Sequence, residues 1–360
     1  MSGNVVITGL GACTGFAENA SELWEHVKGA PHPQPLSRWE MGAQEFAEKA
    51  SIEALKDAKL WDNDRVVGSN LDRIGCTISA SKPLFDQENI LAPDVIQQVL
   101  CERLGLEGER RNVIAACATG AYAVALGASW IDQGLCDVVL AGSVEPRAHP
   151  LIEAGFRRMG VISSEQAMRP FDLHRTGFVL GAGAGVVVLE SRSHAAQRNA
   201  RIKAVLSGWG WGADTHSAVA FNSNGARIAQ VIRQALKRSG LSPEKIQHVN
   251  AHGTATRLND WIETQALIKA FGLHADRLMI SGTKSATGHL LGAAGSVELV
   301  LTVQALNAQY VLPTRHLEEQ DSSCPLDYTP RHGHPADFEH AMSLSFGFGG
   351  PIGALIVSQA

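Results

Sequence analysis

No two of the six cysteines (Cys13, Cys76, Cys101, Cys117, Cys136, Cys324) form a CxxC pair, and none has the spacing of a metal site. No charged segment followed by an apolar stretch opens the chain, so free thiols in a reducing cytoplasm are expected. Long basic runs are also missing. With 31 basic against 36 acidic residues and a net charge of −5, nucleic-acid binding is not expected. No apolar run approaches membrane-spanning length, so no membrane span is expected either. Aromatic residues are scarce at 6%, whereas glycine is abundant at 36 residues. That mix suits tight turns and close-packed small-residue helices better than an all-β sandwich. Hydrophobic residues at 45% and charged residues at 19% provide for a sizeable core. A length of 360 residues fits one large domain or two fused halves.

Short β-branched runs alternate with longer helical patterns. Strands are predicted at 5–8, 74–78, 112–116, 137–141 and 186–190, and helices at 20–28, 43–58 and 120–133. The second half repeats the rhythm. Its strands are predicted at 202–208, 248–251, 278–282, 341–345 and 354–358, and its helices at 226–239 and 291–306. The alternation predicts an α/β fold with mainly parallel central strands, and the similar order of elements suggests duplicated halves, 1–205 and 206–360. The proline-containing stretch 29–37 reads as a surface loop.

Four segments carry chemistry. In Ala115–Gly120 (AACATG) an apolar run meets a cysteine just before a small-residue helix. The positive end of a helix dipole lowers a thiol pKa, and the small neighbours leave backbone N–H groups free to approach a carbonyl. Taken alone, this segment fits a buried structural cysteine equally well. Asn250–Thr256 (NAHGTAT) places His252 at a strand end beside glycine and hydroxyls. Gly282–His289 (GTKSATGH) sets Lys284 and His289 on a loop ahead of a helix. Ser343–Gly350 (SLSFGFGG) ends a strand in a glycine-rich turn, readable either as core phenylalanines or as a loop whose backbone approaches a ligand. Strand ends of an α/β sheet are where such groups assemble. Two other patterns are set aside. Gly181–Gly185 (GAGAG) precedes a strand where a dinucleotide loop requires a helix, and His332, His334 and His340 read as a solvated loop rather than a metal cluster.

These four segments in this order, with Arg169–Glu190 (RPFDLHRTGFVLGAGAGVVVLE) as a fifth, resemble the signature of the β-ketoacyl-acyl carrier protein synthases, nearest the elongating I/II type. The resemblance implies a thiolase-like five-layered α-β-α-β-α fold of two similar halves, usually dimeric. It implies an acyltransferase whose substrates ride on the phosphopantetheine of an acyl carrier protein, with no separate cofactor. By the same resemblance Cys117 carries the acyl chain as a thioester. His252 and His289 bind the malonyl carbonyl during loss of CO₂. Lys284 fixes the second histidine together with Glu298, and the amides of Cys117 and Phe346 form an oxyanion hole, with Phe346 gating the acyl pocket. Thr254 and Thr256 contact the pantetheine arm, and Phe348 and Gly349 lie against the substrate. The homodimer, or a heterodimer with a related subunit, is the expected assembly. Arg110, Arg111, Arg157 and Arg158 are candidates for carrier-protein docking.

The sequence departs from the family pattern in three ways. The N-terminal third is short, Thr176 and Ala182 replace acidic residues, and Pro351-Ile352 replaces Thr-Asn. A non-condensing partner subunit of the chain-length-factor kind would typically have lost the cysteine, and a degradative thiolase normally has a second cysteine near the C-terminus. A decarboxylase that never condenses and a carrier-binding module are the remaining alternatives. The intact set of Cys117, His252, His289 and Lys284 favours the synthase.

Overall fold

The computed structural model describes residues 3–29, 41–86, 89–217 and 220–360. Apart from Gly29, the expected surface loop at 29–37 lies outside them. Ten strands form the main sheet: β1 (Val5–Thr14), β2 (Ile74–Cys76), β3 (Ser79–Ala80), β4 (Val138–Glu145), β5 (Gly183–Ser191), β6 (Ala204–Ala213), β7 (His248–Asn250), β8 (Met279–Ser281), β9 (His340–Phe346) and β10 (Pro351–Ser358). The principal helices are α1 (Ala20–Lys28), α2 (Ala43–Asp57), α3 (Val95–Leu104), α4 (Thr119–Asp132), α5 (Pro150–Arg158), α6 (Arg192–Gln197), α7 (Ala226–Ser239), α8 (Arg257–Phe271), α9 (Lys284–Thr287) and α10 (Ala294–Ala308).

The strand order is β8-β7-β9-β10-β6-β1-β5-β4-β2, with β3 on the far end of β4. Outward from the central β6–β1 pair, one side reads β6, β10, β9, β7, β8. The other reads β1, β5, β4, β2 and then a single parallel bridge from Cys76 to Arg110. The two sides are the same arrangement laid out twice. The expected strand at 112–116 does not form, the bridge at Arg110 lying just ahead of it, because side chains take its backbone groups. Val113 N–H donates to Ser79 Oγ and Ala115 N–H to Thr119 Oγ1, while Asn112 exchanges hydrogen bonds with the Ala80 backbone. The expectation of mainly parallel central strands is corrected. Pairs from β4 through β9 across the middle are antiparallel, and parallel pairing is confined to the flanks.

Helices sort into three layers. α2 packs on β1 and β5, α7 packs on β6 and β10, and α4 and α10 touch each other and strands of both sides. Three large hydrophobic clusters fill the spaces, beside a small fourth one at Met168, Phe178 and Ala255. One lies around α2 and α3, one around α7 and α8, and the largest around α4 and α10. This is the expected five-layered α-β-α-β-α arrangement. Leu291–Ala308 is 18 residues long and apolar enough to cross a membrane by composition, contrary to the expectation of no such run. Of this run 83% is buried in the protein, as the turn Leu291–Ala293 and the core helix α10 of the central layer.

Candidate active site

Cys117 sits in a 3-10 turn, Ala116–Ala118, just before α4. Ala116 adopts φ +46°, a conformation that costs energy for a residue with a Cβ and is kept where surrounding structure imposes it. Thr119 ties the turn by donating to the Ala116 carbonyl at 2.7 Å. The expectation of a lowered thiol pKa is not met. Burial pushes the thiol up to about 12, Glu145 adds to the rise, and Lys82, Lys284 and the Phe348 backbone N–H act against it.

His252 lies two residues beyond β7, and His289 just beyond α9. Their rings meet edge to face at 5.5 Å between centroids. Phe346 packs on His252 at 5.1 Å, and Phe178 on His289 at 5.0 Å. The backbone of His289 is pinned on both sides, donating to Val179 O at 2.7 Å and accepting from Gly181 N at 2.9 Å. Burial first, and then the Lys284 charge, hold both imidazoles well below their ordinary pKa, so both are neutral at pH 7.

Lys284 is 1% exposed and donates to Glu298 Oε1 at 2.5 Å and to the His252 carbonyl at 2.6 Å. The expected Lys284–Glu298 pairing is therefore present. The lysine is bonded to the first histidine's backbone, however, not to the second histidine as expected. Glu298 is pushed up to about 7 by burial, against the pull of Lys284. Asn250 joins β7 to α10 through the Glu298 carbonyl, and Thr283 donates to the same asparagine at 3.0 Å.

The second amide expected from Phe346 is also corrected. Phe346 is the last residue of β9, paired with Ile352, and the backbone N–H directed at the Cys117 sulfur is that of Phe348 in the following turn. Gly347 lets the turn approach, since a Cβ there would sit 3.0 Å from the Cys117 nitrogen. Pro351 costs the turn no needed donor. It opens β10, where proline is tolerated, and its carbonyl accepts from Gly347.

Cys117, His252, His289, Thr254, Thr256, Phe346, Phe348 and Gly349 all line one cavity of about 130 Å³. Thr254 and Thr256 hydroxyls meet at 3.0 Å on its wall. Two acidic groups went unread in the sequence. Glu263 accepts from the His252 N–H at 2.7 Å and the Gly253 N–H at 2.8 Å, orienting the first histidine loop from α8. Its position three residues after Asp260, both on the inner face of α8, was the available signal. Glu145, paired with Lys82 beside the nucleophile, is the other. His340, one of the three C-terminal histidines, bonds Ser358 at 2.7 Å.

A thiolase-like fold with a buried cysteine facing two neutral imidazoles defines a condensing-type acyltransferase. Residues 41–195 match the family model for the β-ketoacyl synthase N-terminal domain, and residues 203–318 match that for its C-terminal domain. The chain is 33% identical over 401 residues to the 3-oxoacyl-[acyl-carrier-protein] synthase 2 of Synechocystis, covering 96% of this chain and 95% of that protein. Among solved structures it superposes on a type II polyketide ketosynthase, determined in complex with its acyl-carrier protein and bound to a hexaketide. The TM-score is 0.90 and the identity 28% over the whole of both chains. It also superposes on the ishigamide ketosynthase/chain length factor at TM-score 0.86 and 27% identity, again over both whole chains. The chain belongs to the β-ketoacyl synthase family.

Proposed function

We propose that the protein is a β-ketoacyl-acyl carrier protein synthase that condenses an acyl group held on Cys117 with malonyl-acyl carrier protein. The observation that carries this reading is the convergence of the Cys117 thiol and two neutral imidazoles, His252 and His289, on one cavity. In the first step the sulfur attacks the carbonyl of an acyl thioester. The amides of Cys117 and Phe348 hold the oxyanion, the C–S bond to pantetheine breaks, and the freed pantetheine thiol takes up the proton. In the second, malonyl thioester loses CO₂ to an enolate whose oxygen is stabilised by His252 and His289. Neutral donors suit this step because they stabilise developing charge without a permanent counter-ion. The enolate carbon then attacks the acyl-Cys117 carbonyl, forming the C–C bond and releasing the cysteine as a thiolate that takes up a proton from solvent.

Lys284 and Glu298 hold the His252 loop, Thr254 and Thr256 serve the pantetheine arm, and Phe348 and Gly349 flank the acyl group. Phe346 acts as packing for His252. The halves 1–205 and 206–360, the cytoplasmic location, and a dimer with itself or with a related subunit are part of the same proposal. So is carrier-protein docking at the exposed Arg110, Arg111, Arg157 and Arg158. Relatives in both fatty acid and polyketide synthesis leave either pathway compatible with the site.

The test is intact-protein mass after incubation with a panel of acyl-carrier thioesters, wild type beside Cys117→Ala. An adduct on the wild type alone is expected, and the preferred chain names the substrate. Folded wild type that takes no acyl group would favour the second reading. That reading is a partner subunit of the kind seen in the ishigamide ketosynthase/chain length factor.

A further inference from the structure

Lys82 and Glu145 take no part in the steps above, yet they stand against the reacting groups. Glu145 ends β4 with its side chain 1% exposed, and its hydrogen bonds come from three directions. Lys82 Nζ reaches Oε1, while Ser81 Oγ donates to Oε2 at 3.0 Å and the Gly292 N–H donates to the same oxygen at 3.3 Å. Gly292 lies in the 3-10 turn Leu291–Ala293, three residues beyond His289, and that turn packs on the Ala116–Ala118 turn carrying Cys117. There is no slack at this junction, since a Cβ on Gly292 would meet Ser81 Cβ at 2.4 Å and Glu145 Oε2 at 3.2 Å. The pair is unlike Lys49–Glu45 or Arg103–Asp64, whose partners are both well exposed and contribute little. A carboxylate as buried as Glu145 needs its cation, and removing one member of such a pair leaves an uncompensated charge.

We propose that Lys82 is a positioning residue for Cys117, its ammonium neutralising the Glu145 carboxylate and so holding the Leu291–Ala293 turn against the nucleophile. The inference rests on the reading of Cys117 as the nucleophile. The charged groups facing the sulfur are Lys82, Glu145 and Lys284, with neutral His252 and His289 across the cavity. Among the groups that pull the buried thiol back down, Lys82 comes first, ahead of Lys284, while Glu145 pushes the other way. The same ammonium helps keep His289 neutral. Without Lys82, the sulfur would have to become an anion beside an unbalanced anion.

The experiment is alkylation of Cys117 by iodoacetamide, followed by peptide mass between pH 7 and 10, on full-length protein. Wild type is compared with Lys82→Met, Lys82→Arg and the double variant Lys82→Met/Glu145→Gln. Lys82→Met should react about tenfold more slowly at any one pH, the effect of one unit on a thiol. Lys82→Arg should stay within about threefold of wild type, and the double variant should recover to a similar range because both charges are gone. The proposal is overturned if Lys82→Met reacts like wild type, or if its loss is not recovered by Glu145→Gln. If Lys82→Met alone does not fold, the double variant decides: folded but still about tenfold slow, it also overturns the proposal. Alkylation needs no acyl carrier, so this result is independent of the acyl-adduct test of the condensing reading.

Discussion

Around β7 and β8, burial acts on acids and bases in opposite directions. It raises Asp260 to about 6, Glu298 to about 7 and Glu263 to about 8, and on α2 it raises Glu53 to about 7. It lowers His248 to about 3 and holds His252 and His289 well below 6.5. An acid with a raised folded pKa binds more protons folded than unfolded between the two values. Its contribution to stability is present below its unfolded pKa and lost as pH climbs through the folded one. A lowered imidazole does the reverse, and its stability penalty disappears as pH rises to about 6.5. The two trends oppose each other below that pH, and above it only the acids remain, until Cys117 adds the same sign above its ordinary value of 9.0. Above about pH 6.5 the melting temperature is therefore expected to fall toward pH 8. The slope is at most about 1.4 kcal/mol per pH unit for each group. Thermal scans from pH 5.5 to 9 on wild type and Glu263→Gln check this, and the variant should lose the part of the fall between pH 7 and 8. A wild type with constant melting temperature over that unit would mean Glu263 is ionised throughout.

At the scale of elements, the Cys117 turn is held by the crossing of α4 and α10. A Cβ on Gly120 would lie 2.5 Å from Ser296 N and 2.6 Å from Ser143 Oγ, and one on Gly295 would lie 2.6 Å from Ser345 Oγ and 2.9 Å from Ala121 N. Two helices approach this closely only through such residues. Gly120→Ala should separate them, lowering stability by about 1–3 kcal/mol and slowing Cys117 acylation. Gly155→Ala in α5, where a Cβ meets nothing within 4 Å, should instead leave activity unchanged and add up to about 1 kcal/mol. Chemical denaturation with acyl-adduct rates on both variants decides, and equal effects at the two sites would remove the crossing from the account. These small-residue helices were legible in the sequence, as were the bounds of α1 and α7, since composition and 3.6-residue periodicity are local. Strand direction was missed although the signal was there. Ser345–Phe346 and Ile352 are joined by a short glycine turn, and strands so joined must run antiparallel. The same turn explains Phe346 and Phe348, because the strand ends at the first and only the second has a backbone N–H turned to the thiol. Glu145 and Lys82 are 63 residues apart in the chain, a pairing only tertiary structure reveals.

Across the whole molecule, the two similar halves share too much to melt separately. β1 pairs with β6 at the centre of the sheet, and the cluster around α4 and α10 takes Val187 and Leu189 from one side and Leu355 and Val357 from the other. The outer clusters around α2–α3 and around α7–α8 each lean on one side only. If the central layer governs stability, calorimetry should give one transition. Leu299→Ala, at a fully buried site in α10, should lower that transition as a whole by about 2–5 kcal/mol. Ile232→Ala, in the α7 cluster, should lower the same transition rather than split it. Amides of β5 and β10 should then exchange with the same global free energy, since each opens only when the shared layer does. Two resolved transitions, one moved by Leu299→Ala and the other by Ile232→Ala, would mean the outer cluster of 206–360 has stability of its own. The active site would then sit between separately stable bodies, with the Gly120–Gly295 crossing among the contacts that bring Cys117 to the histidines.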